Sequence, residues 1–413
     1  MPELPRNPKV EPAREKLRAV GLRLLFLVGL VLLGTLLTYR NSPLNIINLF
    51  NRPVSDPETV GRVQEQQSAE PEQMATQEVA GETLTLPDDF AVTLFASGRG
   101  KLRMMAITAD NYLLVTEMDR GNVLAYPLTG ASSEPVTLVS GLRSPSGVAF
   151  HNNEVWVAEE TRVTKYPYQG NGRVGDQTVV IPAFPDGGHG TRTIGFGLDG
   201  KLYVTIGSSC NVCEEKDQRR AAMVRYNADG TGEEIFAEGL RNTVPFIWHP
   251  ESGEIWGADN GRDLIGDDVP PEEINIIKQS KHYGWPYCYG RGVPNPEFPD
   301  KAEFCQSTEF PIVEMQAHSA PLGMRFYEDG NWPDRYDLNL FIGFHGSWNR
   351  TDPTGYKIVR VDRDLKVHDF ITGWQEKPLN RVWGRPVDIL FFDDDMYVTD
   401  DFAGRIFKVS LKD

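Results

Sequence analysis

From residue 82 onward the chain is built of short runs of Val, Ile, Leu, Tyr, Phe and Trp that change sides every second residue. That is the period of a β-strand, and no amphipathic helix pattern of comparable strength interrupts it. One cassette recurs: a turn, a variable residue, then an aromatic or leucine and an aliphatic residue. It stands at 111–115, 153–157, 200–204, 253–257, 338–342 and 395–398. Each copy follows an apolar run, at 104–108, 146–150, 193–198, 244–249, 321–326 and 387–392. Each precedes another strand-like run, at 122–126, 161–166, 222–226, 273–277, 356–361 and 404–409. In the third copy Asp199-Gly200 joins two strands, a pair suited to a tight hairpin because both central positions need positive φ. Six such units predict an all-β, six-bladed β-propeller over residues 83–413, closed if residues 90–95 add a strand to the last blade. A pair of β-sandwiches is the alternative, which six matching cassettes disfavour. The largest insertion falls between the fourth and fifth cassettes, at 278–319.

The N-terminal part reads differently. Residues 24–37 (LLFLVGLVLLGTLL) carry no charge and follow Arg14, Lys16, Arg18 and Arg23. Extended to 19–39 the run reaches about 20 residues, the length that crosses a bilayer as a helix. The basic flank keeps 1–18 in the cytoplasm and sends the rest of the chain out. The expectation is thus an N-terminal transmembrane helix. A cleaved signal peptide competes, but no small-x-small site follows the run. Residues 40–82, rich in Glu, Gln, Pro and Asn, are expected to form a flexible acidic linker.

Charge narrows the partners. A formal net charge of -16 on 413 residues argues against nucleic acid. Four cysteines, Cys210, Cys213, Cys288 and Cys305, suit an exported protein. The second pair lies too far apart for a two-pair zinc site, and no βαβ pattern supports a redox C-x-x-C. Two local disulfides, 210–213 and 288–305, are expected, although three pairings are formally open.

Chemistry gathers in loops that lead into inner strands. His189 stands among Gly187, Gly188 and Gly190, with Arg192 three residues on. Arg241-Asn242 precedes the fourth inner strand and Arg385 the sixth. A histidine can take a proton near neutral pH, and converging arginines suit an anionic, carboxylate-bearing ligand. For any one of these residues, a surface turn or a surface ion pair is the bland alternative. The loop 259–273 is dense in oxygen donors, which suits either calcium or solvent. His345-Gly-Ser-Trp-Asn-Arg350 follows the fifth cassette, where Trp and Arg could wall a flat ligand.

Taken together, GGHGTR, GLRN, EEINII with HYGWP, HGSWNR and GRPVD resemble the quinoprotein glucose/sorbosone dehydrogenases, over roughly residues 87–411. The match looks closer to the sorbosone dehydrogenase-like branch. The resemblance implies an aldose dehydrogenase that uses pyrroloquinoline quinone and Ca2+. By it His189 is the general base, Arg241 and Asn242 polarise the quinone end, and Arg385 meets a cofactor carboxylate. The backbone carbonyls of Gly261 and Arg262 fall where the family ligates calcium. Val387 and the 347–350 segment stand where the family has basic residues, so Arg350 or Arg192 is expected to substitute. The partners implied are a small-molecule sugar, a membrane or periplasmic electron acceptor, and the membrane itself through the N-terminal helix. Two rivals are a propeller that binds a protein or glycan without catalysis and a calcium-dependent lactonase on the same fold. The lactonase would want acidic side chains before several inner strands, where this chain has Arg and His.

Overall fold

A computed structural model describes residues 52–67, 72–129, 134–328, 330–377 and 379–412. Contacts divide the chain after Arg52, and the unit from Pro53 on holds the propeller and the segments packed on it. The alternating runs fold into six antiparallel sheets. Blade 1 comprises Leu102–Ile107, Tyr112–Glu117, Asn122–Pro127 and Val136–Val139. Blade 2 runs from Gly147–His151 to Thr178–Ile181, and blade 3 from Arg192–Phe196 to Glu234–Glu238. Blade 4 begins with Thr243–Trp248 and ends with Val313–Met315; blade 5 begins with Pro321–Phe326 and ends with Val367–Ile371. In blade 6, Pro386–Phe392, Asp395–Asp400 and Arg405–Leu411 are completed by Phe90–Ala96 from the other end of the domain. The expected closure is therefore present, and neighbouring inner strands touch all the way round a ring.

Blades stacked face to face explain why the second strands read as almost continuous apolar runs. Leu202–Ile206 and Leu340–Phe344 are buried at every position, because each is covered on both faces. The inner strands surround a central cavity of about 710 Å³ lined by side chains such as Met104, Phe150, Ile194, Trp248, Phe326 and Asp388. Antiparallel order puts the loops before each inner strand and the loops after each second strand at one end of the ring. The loops that carry His189, Arg241, Gly261, His345 and Arg385 all belong to that end.

The stretch expected as a linker is partly structured. Asp56 caps the helix Pro57–Gln66 by accepting from the Thr59 amide at 3.1 Å, with Pro57 in the first turn, where its missing N–H is no loss. Arg62 fastens the helix to Glu314 in the edge strand of blade 4. A hairpin follows, Met74–Val79 with Glu82–Pro87, and its Leu84 and Leu86 are wholly buried against blades 5 and 6. The expected transmembrane segment at 19–39 lies outside the described residues. Among the described residues no helix is long and apolar enough to cross a membrane.

Both expected disulfides are present, Cys210–Cys213 and Cys288–Cys305. The second pins the large insertion, where a short helix, Ala302–Gln306, folds against the ribbon Cys288–Tyr289 and Val293–Pro294.

Candidate active site

The loop before blade 3 holds His189 by its backbone: its N–H donates to the Ser208 carbonyl at 3.0 Å. The ring nitrogen Nδ1 also lies 3.0 Å from that carbonyl and 3.0 Å from Ser208 Oγ. A carbonyl oxygen can only accept, so Nδ1 carries the proton. Nε2 makes no hydrogen bond among the described residues and keeps its lone pair. Burial, with the Arg241 guanidinium next in effect, pushes the imidazole down to about 4, so the ring is neutral at pH 7. Gly207 makes room for this arrangement. A Cβ there would lie 2.5 Å from Asn242 Oδ1 and 2.6 Å from His189 Cβ, so only glycine lets those two side chains flank the strand end.

Arg241 lies behind His189, almost fully buried. Its Nη1 donates to the carbonyls of Asn260 (3.1 Å) and Gly261 (2.7 Å), and its Nε to that of Asn211 (3.2 Å). Nη2 reaches Asn211 Oδ1 at 3.0 Å and Asp263 Oδ2 at 3.4 Å. The Asn242 side-chain amide makes no hydrogen bond among the described residues, while its backbone N–H is held by Asp259 Oδ1 at 2.7 Å. Across the mouth Arg385 donates from Nε to the His345 carbonyl (3.1 Å) and from Nη2 to that of Gly346 (2.9 Å), over the ring of Tyr356. His345 is paired through Nε2 with Asp401 Oδ1 at 2.7 Å, and Arg103 holds the other oxygen at 2.9 Å.

Two expected ligand residues are elsewhere. Arg192 is 0% exposed and spends Nη1 and Nη2 on the carbonyls of His189, Thr191 and Pro185. Buried among carbonyls, it shapes the histidine loop and cannot touch a ligand in the mouth. Arg350 is drawn outward by the acidic loop at 267–268, donating to the Asp267 carbonyl and to Asp268 Oδ1 at 2.7 Å. It lines the groove beside helix Pro57–Gln66. Neither residue replaces the basic groups missing at Val387 and 347–350.

The carbonyls expected for a cation are close together but unequal. Gly261 O accepts from Arg241, while Arg262 O makes no hydrogen bond among the described residues and the Arg262 side chain turns away to Glu297 (2.5 and 3.0 Å). Around them sit Asp259 and Glu272, which burial raises to about 6 and about 7. Motif reading missed Ser208 and Asn211, although GSSCNVC, directly after a strand at the site's end of the ring, was the available signal; Asp259 and Asp263 belong to the loop 259–273 that its oxygen donors had already marked.

Arg192, Arg220 and Arg385 are bound only to carbonyls, with no ion pair to any of them among the described residues. Carboxylates stand at the same end, with Asp259, Asp263 and Glu272 around Arg241 and Asp400 and Asp401 near Arg385.

The site is thus a neutral histidine beside buried guanidinium groups at one mouth of a six-bladed propeller. The TrAA12-like family model matches residues 84–371, and the chain belongs to that family. An uncharacterized protein of Borreliella burgdorferi is 34% identical over 360 residues, 81% of this chain and 93% of that protein. The aldose sugar dehydrogenase of Escherichia coli is 26% identical over 254 residues, 56% of this chain and 62% of that enzyme. The holo pyranose dehydrogenase PQQ domain from Coprinopsis cinerea superposes with a TM-score of 0.71 at 19% identity, over 81% of this chain and 98% of that one. The expected kinship with the quinoprotein sugar dehydrogenases is borne out, and the family is one of oxidoreductases.

Proposed function

We propose that this chain oxidises an aldose or related sugar or polyol, with pyrroloquinoline quinone and Ca2+ as cofactors and His189 as general base. The observation that carries the reading is His189 itself: an imidazole fixed as the Nδ1–H tautomer, neutral, with Nε2 free of any hydrogen bond among the described residues and guanidinium groups nearby. The carbon that bears a sugar hydroxyl gives up its hydride poorly until the hydroxyl proton is removed, and a bare Nε2 is the group that removes it. When bound, the quinone supplies the hydride acceptor.

The residues present fit that cofactor. Arg385 and Asn242 would hold and orient it from opposite sides of the mouth, each with donor capacity not used by the protein. Arg241 would polarise the developing oxyanion from behind. The carbonyls of Gly261 and Arg262 would take the calcium. The Gly261 oxygen is then shared with Arg241, and the carboxylates of Asp259, Asp263 and Glu272 offset the two positive charges. Imidazolium formed at His189 is disfavoured by the neighbouring guanidinium groups, so its proton is readily passed on to solvent.

An exported, membrane-anchored location is part of the proposal. The apolar run at 19–39 with its basic flank supports it, as do two oxidised cysteine pairs, which persist outside the reducing cytosol. Such a location would bring the enzyme to a membrane or periplasmic electron acceptor. The test is to titrate the full chain with pyrroloquinoline quinone, with and without calcium, then add aldoses and a dye acceptor. Calcium-dependent binding with dye reduction is expected. A chain that binds no quinone in either condition would leave the non-catalytic propeller.

A further inference from the structure

The loop after the second strand of blade 3 carries the Cys210–Cys213 disulfide, and two residues inside or beside that small ring reach both halves of the candidate site. Ser208, wholly buried, donates from Oγ to the Cys210 carbonyl at 2.8 Å and receives the His189 ring. Asn211, inside the ring, makes five contacts. Its Oδ1 accepts from Arg241 Nη2 (3.0 Å) and from the Asp263 amide (2.8 Å), and its Nδ2 donates to the Asp263 carbonyl (3.0 Å). Its own carbonyl accepts from Arg241 Nε (3.2 Å) and Trp285 Nε1 (3.3 Å). The amide orientation is settled by its partners, two donors on one side and a carbonyl on the other.

We propose that Asn211, locked by the Cys210–Cys213 ring, is a positioning residue that sets Arg241 and thereby the charge beside His189, while the Cys210 carbonyl of the same ring seats Ser208 against that histidine. Glycine-free and only half-buried, residues 210–213 form no strand and would wander without a crosslink. A ring closed over four residues removes that freedom where a fraction of an ångström matters. The guanidinium then has two of its five N–H groups aimed by one side chain and its backbone. The inference rests on the reading that His189 and Arg241 form the reacting centre, but it is tested without cofactor.

The experiment compares the full chain with Asn211→Ala, Asn211→Asp and the double change Cys210→Ser/Cys213→Ser, each with 13C-labelled histidine. The His189 resonance, assigned by its loss in His189→Gln, is titrated with pH. The groups facing that ring are the guanidinium groups of Arg241, Arg220 and Arg192, with Glu160 on the same loop through the Gly187 amide. With Arg241 released, the midpoint is expected to rise by half a unit or more in N211A and in the double variant. In N211D the added carboxylate raises the imidazole by itself, so its midpoint should lie at or above that of N211A. The histidines remote from the loop, such as His151, His249 and His368, should titrate as before, which a general loss of stability would not produce; His318 is no control, because it faces Asp263, which Asn211 holds. Should either variant fail to fold, a phosphine reductant can open the half-exposed 210–213 bond in the parent while the buried 288–305 bond stays closed, and the same shift is expected. An unchanged His189 midpoint in folded variants or in the reduced parent overturns the proposal. If the parent binds no quinone, the proposed function falls alone, and this titration still decides the role of Asn211.

Discussion

The Nδ1 of His189 sits 3.0 Å from the carbonyl oxygen of Ser208, and that contact decides which ring nitrogen can serve as base. Because the carbonyl fixes the proton on Nδ1, Nε2 is the accepting atom. Replacing His189 by Gln keeps a hydrogen-bonding side chain of similar reach but removes the lone pair of a base. Turnover is expected to drop by about 10²–10⁴-fold with quinone affinity nearly unchanged, measured by steady-state kinetics and cofactor titration. Equal turnover in the variant would take His189 out of the chemistry.

The arginines should separate by what they touch. Arg385 has donor capacity facing the mouth, so Arg385→Ala is expected to weaken quinone binding about tenfold or more, the loss of a charge-assisted contact. Arg350 points to the outer groove, and Arg350→Ala should leave that affinity within about twofold. Arg192→Met leaves the His189, Thr191 and Pro185 carbonyls without their donor, so it should cost on the order of 2–4 kcal/mol of stability. Cofactor titration together with chemical denaturation of the three variants distinguishes these roles.

The blades were legible because short β-rich runs recur in a fixed cassette, with second strands apolar at nearly every position where blades stack on both faces, and even the closing strand at Phe90–Ala96 was legible in the sequence. His189, Arg241, Asn242 and Arg385 were legible because each stands directly before an inner strand, at one end of the ring. Arg192 occupies the same kind of position, yet its side chain turns back under its own loop. Nothing in the residue type reveals that direction. Arg350 was misplaced because its acidic partners at 267–268 lie 82 and 83 residues away in sequence. The helix Pro57–Gln66 hid in a Glu- and Gln-rich stretch, although Asp56-Pro57-Glu58 is a helix-start signal.

Glu273 offers a pH test that is independent of any ligand. Burial, with the Asp259 carboxylate next, raises it to about 8. The folded chain therefore holds a proton that the unfolded chain releases near pH 4.3. The associated stability is fully present below the unfolded value and is lost as pH rises through about 8. Melting temperature should fall between pH 6.5 and 8.5 in the parent. Glu273→Gln still accepts from the Gly290 amide, which Oε1 does at 2.7 Å, and should flatten that fall. Parallel curves for the two proteins would refute the raised carboxyl.

The helix Pro57–Gln66 stands where part of the tether was expected, held by an ion pair and by Gln66, which bonds the Ile312 carbonyl and the Glu314 amide. Arg62 meets Glu314 with Nε at 2.5 Å and Nη2 at 3.0 Å, and the Glu314 side chain is only 1% exposed. A buried carboxylate left without its partner is costly; the other cation near it, Arg291, stands 3.8 Å away and is itself 44% exposed. Arg62→Ala should therefore destabilise the domain by about 3 kcal/mol, measured by denaturant unfolding. Glu58→Ala removes an exposed pair with the same arginine and should cost less than about 0.5 kcal/mol. Joint replacement, Arg62→Met with Glu314→Leu, removes both charges and should recover most of the loss. If Arg62→Ala instead unfolds like the parent, the ion pair adds nothing to stability and the helix is held by Gln66 and the packing of Val60.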